Sequence, residues 1–505
     1  MGVSGLGTDK ASRALTALER FYRTSLDREL ARHLAEPPEQ AALGLFRRVL
    51  AQVPAYGRFL EETSFDAAGV RGPADFAQLP VATKETYHRR HALADLCWGG
   101  ELAGCDMLAV SSGSTGEPAV WPRFVSDEVG TAFRFEQVLR DAFRAHERRT
   151  LAVVCFALGS WVGGMYTTAC LRHVAAKGYP LTLVTPGNDK AEILRVLRAL
   201  GSSFEQVVLC GYPPFLKDLI DGGRADGFDW HAREVKLVMA GEVFSEEWRS
   251  IVCDRLGARE PELATASLYG TADGGVLAGE TPLSIALRRQ LAQAPELGRQ
   301  LFGESRLPTL CQYDPLHRYF EAERGDLLFS GDGGIPLLRY RILDRGGVHG
   351  FDQILGALPA WGRGAAVQLS GRGVTPRQLP FVHVFGRSNF ALSFYGANVY
   401  PENVAVGIEQ PALLAALGGK FVMQIAHDQD QNPLLDIAVE LLPGKSASDT
   451  LAGDVAASIQ RELERLNSEF KNYVPPERRQ PSVRLLPHGE PDYFPLGVKH
   501  RYTRS

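Results

Sequence analysis

The sequence predicts an α/β protein: a large N-terminal domain with mainly parallel α/β sheets plus a small β-rich unit, then a small mobile C-terminal α+β domain. Three observations predict it. The chain has 505 residues, more than one hydrophobic core holds, so two or more domains are expected. From about residue 105 to 280, short apolar runs alternate with amphipathic stretches, the pattern of a parallel sheet with helical crossovers. The last hundred residues carry a shorter mixed pattern of their own.

Composition narrows the class. Apolar residues make up 45% and charged residues 23%, the balance of a soluble globular protein. A net charge of −4 and a pI near 6.3 leave no large basic surface for nucleic acid or anionic lipid. Seven dispersed cysteines without a CxxC pair read as reduced thiols in a cytoplasmic protein, with no zinc site. Lys10, Arg13, Glu19, Arg20 and Arg23 interrupt any apolar run at the start, so no signal peptide is expected. Leu151 to Leu171 is uncharged and long enough to cross a bilayer. Gly159-Ser160 and Gly163-Gly164 cut it, so a buried strand, a glycine turn and a helix start explain it better, and no membrane partner is expected.

In chain order, the first eighty residues read as helices, with Leu43, Leu45, Phe46, Val49 and Leu50 at helical spacing. Strands are expected over Leu151–Leu158, Leu181–Thr185, Gln206–Cys210 and Val235–Ala240, with helices over Lys190–Leu200 and Ser245–Leu256 between them. Residues 325–345 and 365–395 are richer in Gly and Val with hairpin-like spacing, which gives the β-rich unit. Val399–Ile408, Phe421–Ala426, Leu434–Leu442 and Val455–Leu466 form the C-terminal domain. The expected division is 1–385 (with a helical lead-in over 1–100), a hinge over 386–390, and 391–505.

Five motifs carry chemistry. Ser111-Ser112-Gly113-Ser114-Thr115-Gly116-Glu117-Pro118 follows a short apolar run and packs hydroxyls and glycines that can approach a polyanion. It is no Walker loop, since GxxxxGK[ST] is absent. Alone, such a stretch reads almost as well as a plain surface loop. Leu268-Tyr269-Gly270-Thr271-Ala272-Asp273 sets an aromatic ring beside a glycine, with a carboxylate four residues later that can hold Mg²⁺ near phosphates. Glu323-Arg324-Gly325-Asp326, continuing to Arg339-Tyr340-Arg341-Ile342-Leu343-Asp344, reads as an ion-pair ladder or as a source of a carboxylate for ribose hydroxyls. Val384-Phe385-Gly386-Arg387-Ser388-Asn389 and Tyr395-Gly396-Ala397-Asn398-Val399-Tyr400-Pro401-Glu402 follow, and Pro495-Leu496-Gly497-Val498-Lys499-His500-Arg501 comes last.

In this order the motifs resemble the adenylate-forming superfamily, and most closely its phenylacetate–CoA ligase branch, over roughly residue 40 to the end. VKLVMAGEVFSEEWR, from Val235 to Arg249, resembles its adenine-side strand, and Leu79-Pro80-Val81-Ala82-Thr83-Lys84 its helical lead-in. The resemblance implies that a carboxylic acid attacks the ATP α-phosphate and that the acyl-adenylate then passes to a thiol or amine. It implies ATP and Mg²⁺ as cofactors and CoA as the second substrate. Ser111, Ser112, Gly113, Ser114, Thr115 and Gly116 would cradle phosphates, Gly241, Glu242, Tyr269, Gly270 and Thr271 would hold the adenine side, and Asp344 the ribose. Lys499, Asp273 and Arg387 form the implied catalytic set, with Asp273 on the metal and Asn389 as the hinge. Glu280 is the alternative carboxylate; His500 and Arg501 are the alternative cations.

The acyl pocket is expected from Trp161, Gly164, Met165, Tyr212, Pro214, Phe215 and Leu268, whose aromatics suit an aromatic or planar acid. The chain departs from the family pattern at Glu117, Ala272, Asp273, Ile342 and Asn389-Phe390. An amine or a carrier-protein thiol therefore stands beside CoA as acceptor, a non-catalytic nucleotide-binding homologue is the third reading, and a homodimer is left open.

Overall fold

The computed structural model describes residues 3–110, 119–159, 162–304, 306–358, 362–387, 392–395, 397–427, 433–467, 470–471, 474–495 and 500–504. Helices lead, over Val3–Arg23, Leu26–Ala35, Pro38–Gln52 and Pro54–Glu62. The third buries Ala42, Leu43, Leu45, Phe46 and Val49, the face its spacing marks out. Proline opens the third and fourth, where its missing N–H is no loss. An antiparallel pair follows, β1 (Met107–Val110) and β2 (Val120–Arg123).

The expected alternation then builds the main sheet. β3 (Thr150–Val154), β4 (Leu181–Val184), β5 (Gln206–Gly211), β6 (Glu234–Ala240) and β7 (Thr265–Thr271) are parallel, in the order β4-β3-β5-β6-β7. Helices Val162–Ala176, Lys190–Leu200, Pro213–Ala225 and Glu246–Arg255 cross between them. Every residue of β3 and β5 is buried, so their apolar residues run on without alternating. No helix among the described residues is long and apolar enough to cross a membrane. The uncharged stretch from Leu151 is divided between β3 and the helix that begins at Val162.

The β-rich part is the antiparallel half of the same sheet. β8 (Gly275–Gly279) returns from β7 over three residues, too few for a crossover, so it pairs antiparallel. β9 (Thr309–Gln312), β10 (Tyr319–Glu323), β11 (Asp326–Gly331), β12 (Leu337–His349) and β13 (Phe381–Arg387) extend it to eleven strands, ordered β10-β11-β12-β13-β9-β8-β7-β6-β5-β3-β4. Arg324 and Gly325, both at positive φ (54° and 84°), make the two-residue turn between β10 and β11. The expectation of strand over 365–395 holds only for its later part, since Gly362–Gly371 is a helix. Ala365 and Leu369, four apart, bury one face of it against Leu283 and Leu287, a helical pairing that composition alone does not reveal.

The last part has its own core. β14 (Leu392–Phe394) and β15 (Ala397–Val399) pair, and β16 (Leu417–His427), β17 (Pro433–Leu441) and β18 (Ser482–Leu486) form a three-stranded sheet. Helices Pro401–Ile408 and Asp449–Leu466 cover it, enclosing Val404, Ile408, Phe421, Ile437, Val455 and Ile459. A polar seam joins this part to the main sheet. Lys217 donates to the Gly418 carbonyl at 2.6 Å, Lys420 pairs with Asp218, Ser245 hydrogen-bonds Glu409, and Arg306 lies 3.3 Å from Glu402.

Candidate active site

The carboxyl ends of β5, β6 and β7 lie side by side, and in open α/β sheets that edge is where ligands bind. Three of the motif segments end there: Tyr212 after β5, Gly241-Glu242 after β6, and Tyr269 to Asp273 at the end of β7. Gly241 has φ 87°, and a Cβ there would lie 2.8 Å from the Tyr212 ring, so the tight turn against that ring requires glycine. Burial, with Glu242 close by, raises the Tyr212 phenol above its ordinary pKa.

Tyr269 Oη donates to Asp344 Oδ2 at 2.8 Å. Asp344 is buried, and its strand neighbour is Arg387, whose side chain lies outside the description. Leu343, just before Asp344, is half exposed and has φ 69°, a strained setting for a branched residue that marks the β12 backbone here. The ladder reading of this stretch also holds, for the residues around Asp344: Arg339 pairs with Glu321 at 3.1 Å and Arg341 with Asp326 at 3.5 Å.

The turn after β7 is braced from beneath. Arg123 donates to the carbonyls of Ala272 and Asp273, Arg318 donates to that of Gly274 at 2.8 Å, and Thr271 Oγ1 accepts the Gly274 N–H at 3.0 Å. The Asp273 carboxylate accepts from Tyr340 Oη at 2.6 Å and has Lys84 Nζ 3.6 Å away. A single carboxylate is a donor set that suits an ion taking its other ligands from phosphate and water, as Mg²⁺ does, and Lys84 would have to swing away or turn to a phosphate for such an ion to sit there. Among the described residues no cluster of His, Cys, Asp and Glu forms a cage for a metal.

The C-terminal segment reaches this edge. Tyr502, three residues after Lys499, donates to Glu242 at 3.5 Å, while its backbone carbonyl accepts from Met423 N.

No known family and no curated protein matches the sequence, but solved structures match the fold. 2-Hydroxyisobutyryl-CoA ligase, in the postadenylation state in complex with R3-HIB-AMP, superposes with a TM-score of 0.65 at 14% identity, covering 93% of this chain and 87% of that one. The same ligase in an open conformation with 2-HIB-AMP and CoA gives 0.54 at 14%, with 93% and 90% covered. In its thioesterification state it gives 0.53 at 15%, with 96% and 91% covered. This chain has the adenylate-forming ligase fold.

On that fold the expected pocket residues fall in several places. Tyr212 and Leu268 pack in one cluster with Phe156 and Tyr166. Phe215 packs in a different cluster, with Lys190 5.9 Å over its ring, and Pro214 lines a cavity of about 40 Å³ in the seam with Phe244 and Tyr502. Helical geometry separates them: Tyr212, Pro214 and Phe215 lie at the start of one helix and point in different directions. Met165 is 43% exposed, whereas Gly164 sits where a Cβ would clash with the Ala157 carbonyl at 2.3 Å. Ser111 to Gly116, Trp161, Asn389 and Lys499 lie outside the described residues.

Two alternatives are removed. Glu280 is fully buried, accepting from Arg249 at 2.6 Å and from the Ser267 N–H at 2.9 Å, which leaves it no approach to a metal. His500 is half-buried and hydrogen-bonds the Phe421 carbonyl at 2.8 Å, and desolvation lowers its pKa to about 4, so it is no cation at neutral pH. Tyr340 and Lys84, which the motif reading gave no role at this carboxylate, sit on Asp273. Lys84 ends a lead-in motif noted for its family resemblance alone, and only the fold shows what it faces.

Proposed function

We propose that this chain is an AMP-forming acid–CoA ligase of the phenylacetate–CoA ligase branch, which activates a small aromatic or planar carboxylic acid. The observation that carries this reading is the convergence of separate motifs on one sheet edge: Tyr269 on Asp344, and Tyr502 on Glu242 across 260 positions. The neighbour of the same fold is described with an acyl-AMP and with CoA, which supports both half-reactions. Tyr212 and Phe156 meet edge to face at 4.9 Å beside the same edge, apolar walls suited to a ring.

In step one the substrate carboxylate attacks the α-phosphorus of ATP and pyrophosphate leaves. Asp344 would accept from the ribose hydroxyls, Ser111 to Gly116 would cradle the phosphates, and Lys499 would offset the growing negative charge. Asp273 would hold Mg²⁺, and the ion would supply charge neutralisation for the pyrophosphate. In step two the CoA thiol attacks the acyl carbon and AMP leaves. The chain superposes better on the postadenylation state than on the thioesterification state of one ligase, so we read the present arrangement of 1–385 against 391–505 as the adenylation-side one. The unpaired cysteines suit a cytoplasmic enzyme.

The test is ATP–pyrophosphate exchange across a panel of carboxylic acids, with mass analysis of products when CoA, amines or a carrier protein is added. Acid-dependent exchange and an acyl-CoA product are expected. Exchange with an amide or carrier-bound product would replace CoA as acceptor, and no exchange with any acid would sink the reading.

A further inference from the structure

Residues 111–119, which carry the phosphate motif, join β1 to β2, and Val110 and Val120 face each other across that pair. β2 thus fixes where the motif ends. Its residues Trp121 and Arg123, two apart on one strand, share a face, and both are buried. The Trp121 ring meets the Tyr340 ring edge-on at 6.3 Å, and Tyr340 Oη donates to Asp273 Oδ2 at 2.6 Å. Arg123 reaches the backbone of the same residue: its Nη2 donates to the Asp273 carbonyl at 3.1 Å and to the Ala272 carbonyl beside it. The carboxylate and the backbone of Asp273 are therefore both tied to one face of β2.

Arg318 extends the hold by donating to the Gly274 carbonyl at 2.8 Å, so three successive carbonyls of one turn rest on two guanidinium groups. Arg123 is 3% exposed and Arg318 4%, and Asp127, itself buried, is an acid facing both. A buried cation is costly unless it is hydrogen-bonded, so these donors and carbonyls have little freedom to part. The hold exceeds what the turn needs to close. Thr271 and Gly275 already pair across it, and Thr271 Oγ1 accepts the Gly274 N–H at 3.0 Å.

We propose that Arg123 is a positioning residue for the reaction, fastening the end of the phosphate motif to the turn of Asp273. The inference rests on the function proposed above, in which Asp273 holds Mg²⁺ and Ser111 to Gly116 cradle the phosphates. Arg123 then sets the carboxylate against the phosphates that share the ion. Without it the turn still closes, but the carboxylate loses its fixed place. Groups that hold a metal ligand in position change metal affinity by about 10–100-fold.

The experiment is calorimetric titration of the full-length protein with ATP, once with excess Mg²⁺ and once in EDTA. In Arg123→Met, affinity for Mg²⁺-ATP is expected to fall by about 10–100-fold, while affinity for metal-free ATP and the circular dichroism stay as in wild type. Asp273→Asn should weaken Mg²⁺-ATP in the same way, and adding Arg123→Met to it should cost nothing further. Arg123→Lys keeps the charge beside Asp127 but is shorter, so it should show a smaller fall in the same direction. If Arg123→Met does not fold, the lysine variant decides, and wild-type Mg²⁺-ATP affinity in it would overturn the proposal. Equal losses with and without Mg²⁺ would overturn it too, making Arg123 a prop of the fold alone. So would additive losses in the double variant, since Arg123 would then not act through Asp273. A wild type that binds neither form of ATP would sink the ligase reading and this inference with it. A wild type that binds Mg²⁺-ATP, with an Arg123→Met variant that binds it equally well, would sink this inference alone.

Discussion

Tyr269 and Asp344 meet at 2.8 Å although 75 positions separate them, and under the proposed function that contact belongs to the nucleotide site. Tyr269→Phe removes one donor from a buried carboxylate, a loss of about 1–3 kcal/mol. ATP binding is then expected to weaken roughly fivefold to a hundredfold, with unchanged circular dichroism. Calorimetric titration of ATP checks it, and unaltered affinity would separate this pair from nucleotide binding. Lys499→Ala is expected to abolish acid-dependent pyrophosphate exchange while ATP still binds, a loss of about 3–4 kcal/mol in transition-state stabilisation. Since His500 is held on the Phe421 carbonyl and neutral, Arg501 is left as the substitute, and retained exchange in the double variant Lys499→Ala, Arg501→Ala would remove the role from this segment.

At the scale of elements, the lead-in helix Leu26–Ala35 is fastened to the core by charge. His33 lies 2.7 Å from Asp314 and 3.1 Å from Glu29, and Arg134 lies 3.1 Å from Asp314. Burial pushes the His33 pKa down, but its hydrogen bonds to Asp314 and Glu29 outweigh this and raise it from 6.5 to about 9. A raised cation stabilises fully below its unfolded pKa, so the fastening is complete below pH 6.5 and fades as pH rises through about 9. Amide exchange over residues 26–35, compared between wild type and His33→Gln, should differ strongly at pH 6.5 and converge by about pH 10. A difference independent of pH would mean that packing, not charge, holds the helix. Asp314→Ala, which strands Arg134 and His33, is expected to cost about 3–5 kcal/mol of local stability.

For the whole molecule, the deciding feature is the seam between the main sheet and the C-terminal sheet. Glu409 is buried there against Ser245, with Lys217, Glu247 and the Trp248 backbone facing it. Burial chiefly, with Glu247 adding, raises its pKa from 4.5 to about 8. A carboxyl that must be neutral in the closed seam favours closure fully below pH 4.5. That advantage is lost progressively as pH rises to about 8 and is gone above it. If the C-terminal part moves between half-reactions, as proposed, it should open more as pH rises. Small-angle scattering from pH 5.5 to 8.5 is expected to show a growing radius of gyration in the wild type and a flatter profile in Glu409→Gln. Equal profiles would place the switch elsewhere in the seam.

Much of this was legible in the residues. Periodicity fixed the parallel half of the sheet, because a strand buried on both faces must be apolar throughout and each crossover helix must be amphipathic. The order of short motifs pointed to Tyr269, Gly241, Asp273 and Asp344, since glycine turns and isolated carboxylates are local chemistry written in the chain. The helix at Gly362–Gly371 was not legible, because ten residues with three glycines and few large apolar side chains carry too little periodic signal against a tertiary partner. Nor was the scattering of Pro214 and Phe215 away from Tyr212, or the meeting of Lys84 and Tyr340 on Asp273. Those depend on which strand ends and helix faces lie side by side. That is fixed by sheet order and by long-range packing between segments up to hundreds of positions apart, and no local stretch of sequence contains it.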